Sequence, residues 1–541
     1  MNMLRGLDLT AEVRALVAHL VADRVAVAAP SVYETGRLVT LAPWLDGHQR
    51  RIDFLLDGQR PDGSWGGADG YAVVPTLSAV EAIMTVLERG DADARGKRHE
   101  GTRRGGPLRA AAERGLRAAA ALLADVAAVG PPPTAGAAMV IAALTEAVNV
   151  HAEAAGYCPL RPASGTEAEA GVKQLARLRG GAWRVPLLSH YLELVPGPTG
   201  AAEIRPVDGA VCGSAAATAA WLGPRRPGPN AAPSVRMLTE LQARNGGPVP
   251  AFTSQVYVAQ AWSLAHLALA GIDAALLTRL RDTLAAALEP PGRPSDGRPA
   301  GGLPGGPGLP ADSDTTAVTL YALARLGVVR SPDHLWEYDT GSHFITVHPE
   351  NEASASANAH ILMALGEHAD RAGRAAARCA EAAPRIAAWL GAHQRADGGW
   401  QDKWHASPFY ATRSCALAVH RYGGPGQAAV VDRAVRWVLG RQRTDGSWGR
   451  WRPTAEETAY AVQTLLHTST GTIDPVVARA AARGCRFLIR LLRHERSDVR
   501  RDLPLFHGKD LFAIPDLTRA AVLSALESGR RRPEVAEIDD R

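Results

Sequence analysis

Two acidic side chains separated by one residue open a helix-like segment in the second half of the chain. Asp312 and Asp314 lie in the run Ala-Asp-Ser-Asp-Thr-Thr-Ala, which leads directly into an amphipathic stretch. Burial or a neighbouring carboxylate can hold such a carboxyl protonated near neutral pH, and two of them can share one proton. Asp, Ser and Thr also cap helix N-termini, and the helix dipole favours carboxylate. The segment therefore fits either an acid–base pair or a simple cap.

Length and composition bound the classes of protein that this chain can belong to. A chain of 541 residues, 46% hydrophobic and 21% charged, predicts a globular protein of two or three domains. The formal charge of +5 is small and spread along the chain, which suits an anionic small molecule better than nucleic acid. Basic runs at Arg103 and Arg104 and at residues 530–532 are interpreted as solvated polar stretches.

Cysteine usage and hydropathy predict a cytoplasmic protein. The five cysteines are isolated, with no C-x-x-C pair or Cys/His cluster, so neither a disulfide framework nor a structural zinc site is indicated. The first 20 residues lack the apolar core of a signal peptide. No run of about 18 uncharged apolar residues is present, so no membrane-spanning helix is expected.

The elements that must position the acidic pair are helices. Apolar residues recur at spacings of three and four through most of the chain, and strand signals are scarce, so an all-α fold is predicted. Breaks rich in Gly and Pro fall at residues 91–107, 223–233 and 290–310. The last break is predicted to cross between two domains.

A short repeated motif joins several of the predicted helices. The pattern Q-x-x-D-G-x-W begins at Gln59, Gln394 and Gln442, and a degenerate copy without Trp begins at Gln242. Gly permits a positive φ in the turn, and the Gln and Trp side chains can lock it by hydrogen bonding and stacking. Repeated helical hairpins close into α/α barrels or stack into solenoids.

These repeats resemble the QW motifs of triterpene and class II diterpene cyclases, and residues 312–317 resemble the D-x-D-D-T-A acid motif of the same enzymes. Further segments match in the same order, at residues 31–35, 208–218, 358–360, 407–412 and 508–512. The chain is therefore identified as a member of the bacterial class II terpene cyclases, isomerases that cyclise a linear isoprenoid by protonating it.

The resemblance implies the domain plan. Residues 1–30 and 300–541 are expected to form the acid-bearing α/α barrel, and residues 31–299 an inserted second α/α barrel. The active site is expected between the two barrels, with the loop rich in Gly and Pro near its mouth.

The resemblance also implies roles for individual side chains. Asp314 is expected to be the acid, with Asp312 assisting and Asn358 fixing the acidic proton by a hydrogen bond. Thr315 and Thr316 support the pair. His360, beside Asn358, is interpreted as a packed helix residue rather than a base.

The diphosphate of the substrate is expected to stay attached, because the D-D-x-x-D motif of class I enzymes is missing and the one Asp-Asp pair is at residues 539–540. Lys509 and Arg205 are the candidates for binding it. Mg²⁺ is expected to accompany the diphosphate, with no protein site predicted.

Aromatic faces stabilise carbocations once water is excluded, by about 0.5–2 kcal/mol each. About half of the aromatic residues in the acid-bearing domain are expected to face the substrate. They are Trp336, Tyr338, Phe344, Trp404, Phe409, Tyr410, Phe506 and Phe512.

Thr315 replaces the third Asp of the family motif, and D-x-D-T-T resembles the variant of drimenyl diphosphate synthases. The expected reaction is therefore sesquiterpene chemistry, from farnesyl diphosphate to drimenyl diphosphate. The alternatives are geranylgeranyl diphosphate giving a copalyl-type product, a zinc-dependent protein prenyltransferase-like barrel, and a non-catalytic helical-repeat binding protein. Squalene is disfavoured by the short chain and an aromatic content of 5%. The deprotonating base, the product stereochemistry and the oligomeric state stay open.

Overall fold

A computed structural model describes residues 4, 6–27, 29–90, 105–134, 136–197, 199–288, 302–348, 352–372, 376–494 and 502–538. The basic run at Arg103 and Arg104 and the Asp-Asp pair at 539–540 lie outside these residues. The described part holds one two-stranded antiparallel sheet, β1 (Phe506–His507) and β2 (Leu511–Phe512), and is otherwise helices and loops. The all-α prediction is confirmed.

The helices are, in chain order, α1 (Thr10–Ala22), α2 (Val32–Leu41), α3 (His48–Asp57), α4 (Val73–Arg89), α5 (Gly105–Val129), α6 (Ala137–Ala155), α7 (Thr166–Arg179), α8 (Ala215–Leu222), α9 (Ala232–Asn245), α10 (Val256–Leu269), α11 (Ala274–Leu288), α12 (Ser313–Arg325), α13 (Ala355–Ala372), α14 (Ala377–Ala392), α15 (Pro408–Tyr422), α16 (Ala428–Leu439), α17 (Ala455–His467), α18 (Pro475–His494), α19 (Pro515–Arg530) and α20 (Pro533–Ala536).

Six helices form the closed inner ring of the acid-bearing barrel. In order around the ring they are α10, α12, α13, α15, α17 and α19, and α19 packs against α10 to complete it. Helices α1, α11, α14, α16 and α18 pack outside this ring. The inner helices are buried along nearly their whole length, because each is covered by two ring neighbours and an outer helix.

The predicted boundary between the two barrels at residue 299 is wrong. The hydrophobic core of the acid-bearing barrel includes Leu4 to Val27 and then continues from Ala251, so α10 and α11 belong to it. The segment rich in Gly and Pro connects α11 to α12 within this barrel, and its described part lies against Ser254 and Gln255. The Gly and Pro content of this loop indicated a break between domains. The burial of α10 and α11 in this core assigns both helices to the acid-bearing barrel.

The second barrel is built from α2 to α9. Helices α2, α4, α6 and α7, the 3₁₀ helix Pro186–Leu194 and α8 follow one another in contact, and α8 returns to α2. By length and composition alone, helix Asp69–Arg89 is long and apolar enough to cross a membrane. In the fold, 89% of its apolar 18-residue window is buried.

The repeated motif fixes the turns between outer and inner helices as predicted. The Gln442 amide donates to the carbonyls of Gly446 and Ala480, at 3.0 and 2.8 Å, and Gly446 has a φ of +91°. The Trp448 indole donates to the Val438 carbonyl at 2.8 Å. The copies at Gln59 and Gln394 repeat this pattern. Each motif therefore ties one turn to two outer helices.

Candidate active site

Asp312 caps the helix that carries the acidic pair. Its carboxylate accepts hydrogen bonds from the Thr315 amide at 2.6 Å and from the Thr315 hydroxyl at 2.9 Å. Burial and, to a smaller extent, the Asp314 carboxyl raise the pKa of Asp312 to about 7 against the opposing effect of the Thr315 amide. The Thr316 hydroxyl bonds to the Asp312 carbonyl and accepts from the Leu303 amide. The two threonines therefore hold Asp312 and the loop before it.

Asp314 lies in the first turn of α12 and is 7% exposed. Its Oδ1 is 2.6 Å from Nδ1 of His360 on α13, and Nε2 of His360 is 3.1 Å from the Ser414 hydroxyl on α15. The other oxygen, Oδ2, has no hydrogen-bond partner among the described residues. Asp312 and Asp314 bond to different groups, and the sharing of one proton between them stays a prediction. Oδ2 is the position from which Asp314 can deliver a proton.

Asn358 does not reach the acid. Its amide donates to the carbonyls of Phe344 and Ser354, and its oxygen accepts from the Phe344 amide at 2.8 Å. Residues two apart on a helix point to different sides, so only one of Asn358 and His360 can face α12. In the structure, His360 is the residue that faces α12 and bonds to Asp314. The prediction that Asn358 fixes the acidic proton is wrong. His360, interpreted as a packed helix residue rather than a base, is buried and also bonds to the acid.

Aromatic side chains extend from the acid toward the second barrel. Trp262 of α10 lies edge-on to His360 at 5.4 Å and donates to the Tyr410 hydroxyl at 3.0 Å. The Tyr410 ring is 6.2 Å from the His360 ring and 6.1 Å from Phe506, which contacts Phe512. Of the eight predicted aromatics, Tyr410 is the one in ring contact with His360. Trp262 was missed because α10 was assigned to the other domain.

Several of the other predicted aromatics pack between helical layers. Phe409 lies 4.8 Å from Trp437 of outer helix α16. Trp336 contacts Phe344, and the guanidinium of Arg378 on α14 lies 4.0 Å over its ring. Two more are held at loops, Tyr338 stacked on His348 and Trp404 bonded to Thr346.

Lys509 is buried in the junction between the barrels and is not available to a diphosphate. Its ammonium donates to Glu34 at 3.0 Å, to Glu193 at 2.7 Å and to the Ser214 hydroxyl at 2.8 Å. The side chain is 4% exposed in a loop that joins β1 to β2. Two carboxylates already neutralise this cation, so the predicted role in diphosphate binding is wrong. Arg205 is exposed on the second barrel, and its role stays a prediction.

The junction around Lys509 brings together three of the segments that carry the resemblance. Residues 31–35, 208–218 and 508–512 meet there, and Asp510 accepts from the Ser31 hydroxyl and the Tyr33 amide. Burial raises the pKa of Glu34 to about 6 against the attraction of Lys509, and burial also raises the pKa of Asp510 to about 6. These segments form a buried polar link between the barrels.

The described residues offer no resident metal site. Within them, no group of three or more His, Cys, Asp and Glu side chains is placed to hold a metal ion. The zinc-dependent alternative thus lacks a site in the described part of the chain. Mg²⁺ stays a proposal for the diphosphate itself.

Comparison with known proteins defines the family. The protein-family model for the squalene-hopene cyclase C-terminal domain matches residues 349–497. The chain is 39% identical to ent-copalyl diphosphate synthase of Streptomyces sp. strain KO-3988, covering 99% of both chains. It is 36% identical to labda-7,13-dienyl diphosphate synthase of Streptomyces clavuligerus, covering 94% of this chain and 91% of that one.

A solved structure agrees with these relatives. Ent-copalyl diphosphate synthase from Streptomyces platensis superposes with a TM-score of 0.85 at 42% identity, over 96% of this chain and 99% of that one. The chain belongs to the bacterial class II terpene cyclases and is an enzyme of the isomerase class.

The comparisons do not support the drimenyl expectation, because the relatives are named for copalyl and labdadienyl products. The structure shows why Thr315 is a poor guide to the length of the substrate. The Thr315 hydroxyl is bonded to Asp312, so this replacement changes how Asp312 is held and says little about the length of the substrate.

Proposed function

We propose that this enzyme converts geranylgeranyl diphosphate into a copalyl-type bicyclic diphosphate, with the diphosphate retained. The observation that carries the proposal is the Asp314 carboxyl, buried in the barrel with Oδ1 held by His360 and Oδ2 without a partner among the described residues. The choice of a twenty-carbon substrate follows the copalyl and labdadienyl names of relatives that match nearly the whole chain.

Asp314 acts as the general acid in this proposal. Oδ2–H donates its proton to the terminal double bond of the substrate, and the resulting carboxylate keeps the hydrogen bond from His360 Nδ1–H. That bond favours the charged form of Asp314 over the neutral form, so it makes the carboxyl a stronger acid. Ser414 holds the other ring nitrogen and thereby fixes the plane of the imidazole.

Cyclisation then moves positive charge along the substrate while two carbon–carbon bonds form. Trp262 and Tyr410 lie beside the acid, where their faces can stabilise the cation by about 0.5–2 kcal/mol each in a water-free site. Loss of one proton from the bicyclic cation completes an isomerisation with no net change in atoms. The ent stereochemistry is our specific proposal, because the relative at 39% identity and the structure at 42% are both ent-copalyl synthases.

The substrate proposal predicts a clear preference between two diphosphates. Purified enzyme with Mg²⁺ is expected to convert geranylgeranyl diphosphate to a bicyclic twenty-carbon alcohol after phosphatase treatment, with kcat/KM at least about tenfold above that for farnesyl diphosphate. Mass spectrometry identifies the product, and chiral gas chromatography against both copalol enantiomers reports its hand. A bicyclic fifteen-carbon alcohol as the preferred product would restore the drimenyl interpretation.

Replacement of His360 tests how the acid is held. His360→Phe removes the donor to Asp314 while it keeps an aromatic ring beside Trp262, so kcat is expected to fall about 10²-fold. KM for geranylgeranyl diphosphate should change little, because His360 is not proposed to bind the substrate. His368→Phe on the same helix is the matched control and should retain activity. An unchanged kcat in His360→Phe would show that Asp314 works without this partner.

A further inference from the structure

A positively charged side chain without a carboxylate partner is buried in the acid-bearing barrel, next in sequence to the serine that bonds to His360. Arg413 of α15 is 5% exposed, and among the described residues it forms no ion pair. Its Nε donates to Gln463 Oε1 at 3.0 Å, and its Nη2 is 3.3 Å from Nδ1 of His266. Both partners are neutral, since burial and Arg413 hold the pKa of His266 well below its ordinary value. A buried charge without a counter-charge is costly, so its presence calls for a role.

The partners of Arg413 are themselves fixed. Gln463 donates to the Ala521 carbonyl at 2.8 Å, which turns its oxygen toward Arg413 and His266. The rings around the guanidinium are Tyr321, Tyr410 and Tyr460, which carry no charge while their hydroxyls stay protonated. Arg413 therefore keeps a full unit of positive charge at one place in the barrel.

Arg413 and His360, the hydrogen-bond partner of the acid, share one small cavity. Arg413, His360 and His266 line it, together with Val318 and Tyr321, which follow Asp314 on α12. Its volume of about 10 Å³ suits a single water molecule. Nε2 of His266 is buried without a partner in the described part of the chain, so a water there would have an acceptor as well as the Arg413 donors. Arg413 is also next in sequence to Ser414, which bonds to His360.

We propose that Arg413 is a positioning residue whose uncompensated charge, acting across this cavity, makes Asp314 a stronger acid. A nearby positive charge favours the carboxylate that Asp314 becomes when it releases its proton, and opposes a second positive charge on His360. His360 then acts as a neutral Nδ1–H donor, with Nε2 accepting from Ser414. The inference rests on the proposed acid role of Asp314 but makes its own prediction, about pH dependence.

Other titratable groups surround Asp314 besides Asp402, whose carboxyl acts on Tyr410 together with Asp314. They are Asp312 and Tyr321 on α12, Tyr338 beside its start, His266 on α10, His360 on α13, Tyr410 on α15 and Tyr460 on α17. Farther off, Arg325 pairs with Glu367 at the C-terminal end of α12, and the α11 charges Arg281 and Asp282 pair with each other.

Neutralising Arg413 without removing it gives the sharpest test. Gln463→Glu places a carboxylate against the guanidinium and loses the donor to the Ala521 carbonyl, whereas Gln463→Leu loses that donor and the acceptor for Arg413 without adding charge. Single-turnover rates with geranylgeranyl diphosphate are measured over the pH range in which each variant stays folded. A general acid must be protonated to act, so activity is lost on the alkaline side.

Gln463→Glu is expected to move this alkaline loss to higher pH by about one unit, the order of effect that a unit charge has in a buried interior with an effective dielectric constant near 20. Its plateau rate should fall roughly three- to tenfold, because the acid is weaker. Gln463→Leu should keep the wild-type inflection. The inflection of Arg413→Met should shift in the same direction as that of Gln463→Glu. If Arg413→Met does not fold, the comparison of the two Gln463 variants tests the role of Arg413.

An inflection in Gln463→Glu that coincides with that of Gln463→Leu would overturn the inference and leave Arg413 a structural residue. The wild type separates this result from a failure of the proposed function. If the wild type does not cyclise geranylgeranyl diphosphate, the proposed function fails. If it does and the inflections coincide, only the role of Arg413 fails.

Discussion

Replacement of Asp314 by Asn is expected to lower kcat on geranylgeranyl diphosphate by at least about 10³-fold, near the upper end of what a general acid contributes. Asn is nearly isosteric with Asp and can still accept from His360 Nδ1 through its oxygen, so the hydrogen bond seen at 2.6 Å can persist. It has no acidic proton to give to an alkene. The measurement is product formation by mass spectrometry under single-turnover conditions.

Asp312→Asn is the informative companion to that variant. Its amide oxygen can still accept from the Thr315 amide and cap α12, but it loses the charge next to Asp314. We expect a smaller fall, about tenfold, because Asp312 supports the helix start and does not deliver the proton. Asp125→Asn, exposed on α5, should behave as the wild type. If Asp312→Asn abolishes turnover while Asp314→Asn retains a tenth of it, the two acidic roles are reversed.

The sequence predicted those parts of the site that depend on local spacing. Asp312 and Asp314 stand at a helix start, and that fact is readable from a few neighbouring residues. The turns at Gln59, Gln394 and Gln442 are local too, because each needs a Gly with positive φ and a Gln and Trp at fixed offsets. The helical fold follows from apolar periodicity in the same way.

The predictions that were wrong concern contacts between segments that lie far apart in the sequence. Asn358 and His360 are equally close to the acid in sequence, and only the rotation of α13 against α12 decides which of them faces Asp314. Trp262 was missed because a loop rich in Gly and Pro was taken for a domain boundary. Trp262 would have been predicted if the helical patterns of α10 and α11 had been interpreted as an inner and an outer helix of the acid-bearing barrel.

Lys509 shows why charge alone did not reveal function. A Lys in a segment typical of a family that binds diphosphates fits an anion-binding site and a buried ion pair equally well. Its partners Glu34 and Glu193 lie 475 and 316 residues away, so no sequence window contains them together. The pairing depends on how the two barrels dock.

Replacement of Lys509 by Met is therefore expected to destabilise the protein, by about 3–5 kcal/mol, because two buried carboxylates lose their cation. We expect the thermal midpoint of the full chain to fall by roughly 3–4 °C. Lys173→Met, at an exposed position on α7, is the matched control and should leave the midpoint unchanged. Adding Glu34→Gln to Lys509→Met should restore part of the loss, since it removes one uncompensated charge.

The pH dependence of Lys509→Met distinguishes an ion pair from a packing role. Burial raises the pKa of Glu34 to about 6 from its ordinary 4.5 even with Lys509 opposing, so without Lys509 it rises further. A folded state that holds a proton the unfolded state has released loses stability as pH rises. The deficit of Lys509→Met should therefore be small below about pH 4.5 and grow as pH rises through 6 and above. A wild-type midpoint at every pH, with KM for the diphosphate raised, would instead make Lys509 a substrate ligand and require the junction to open during binding.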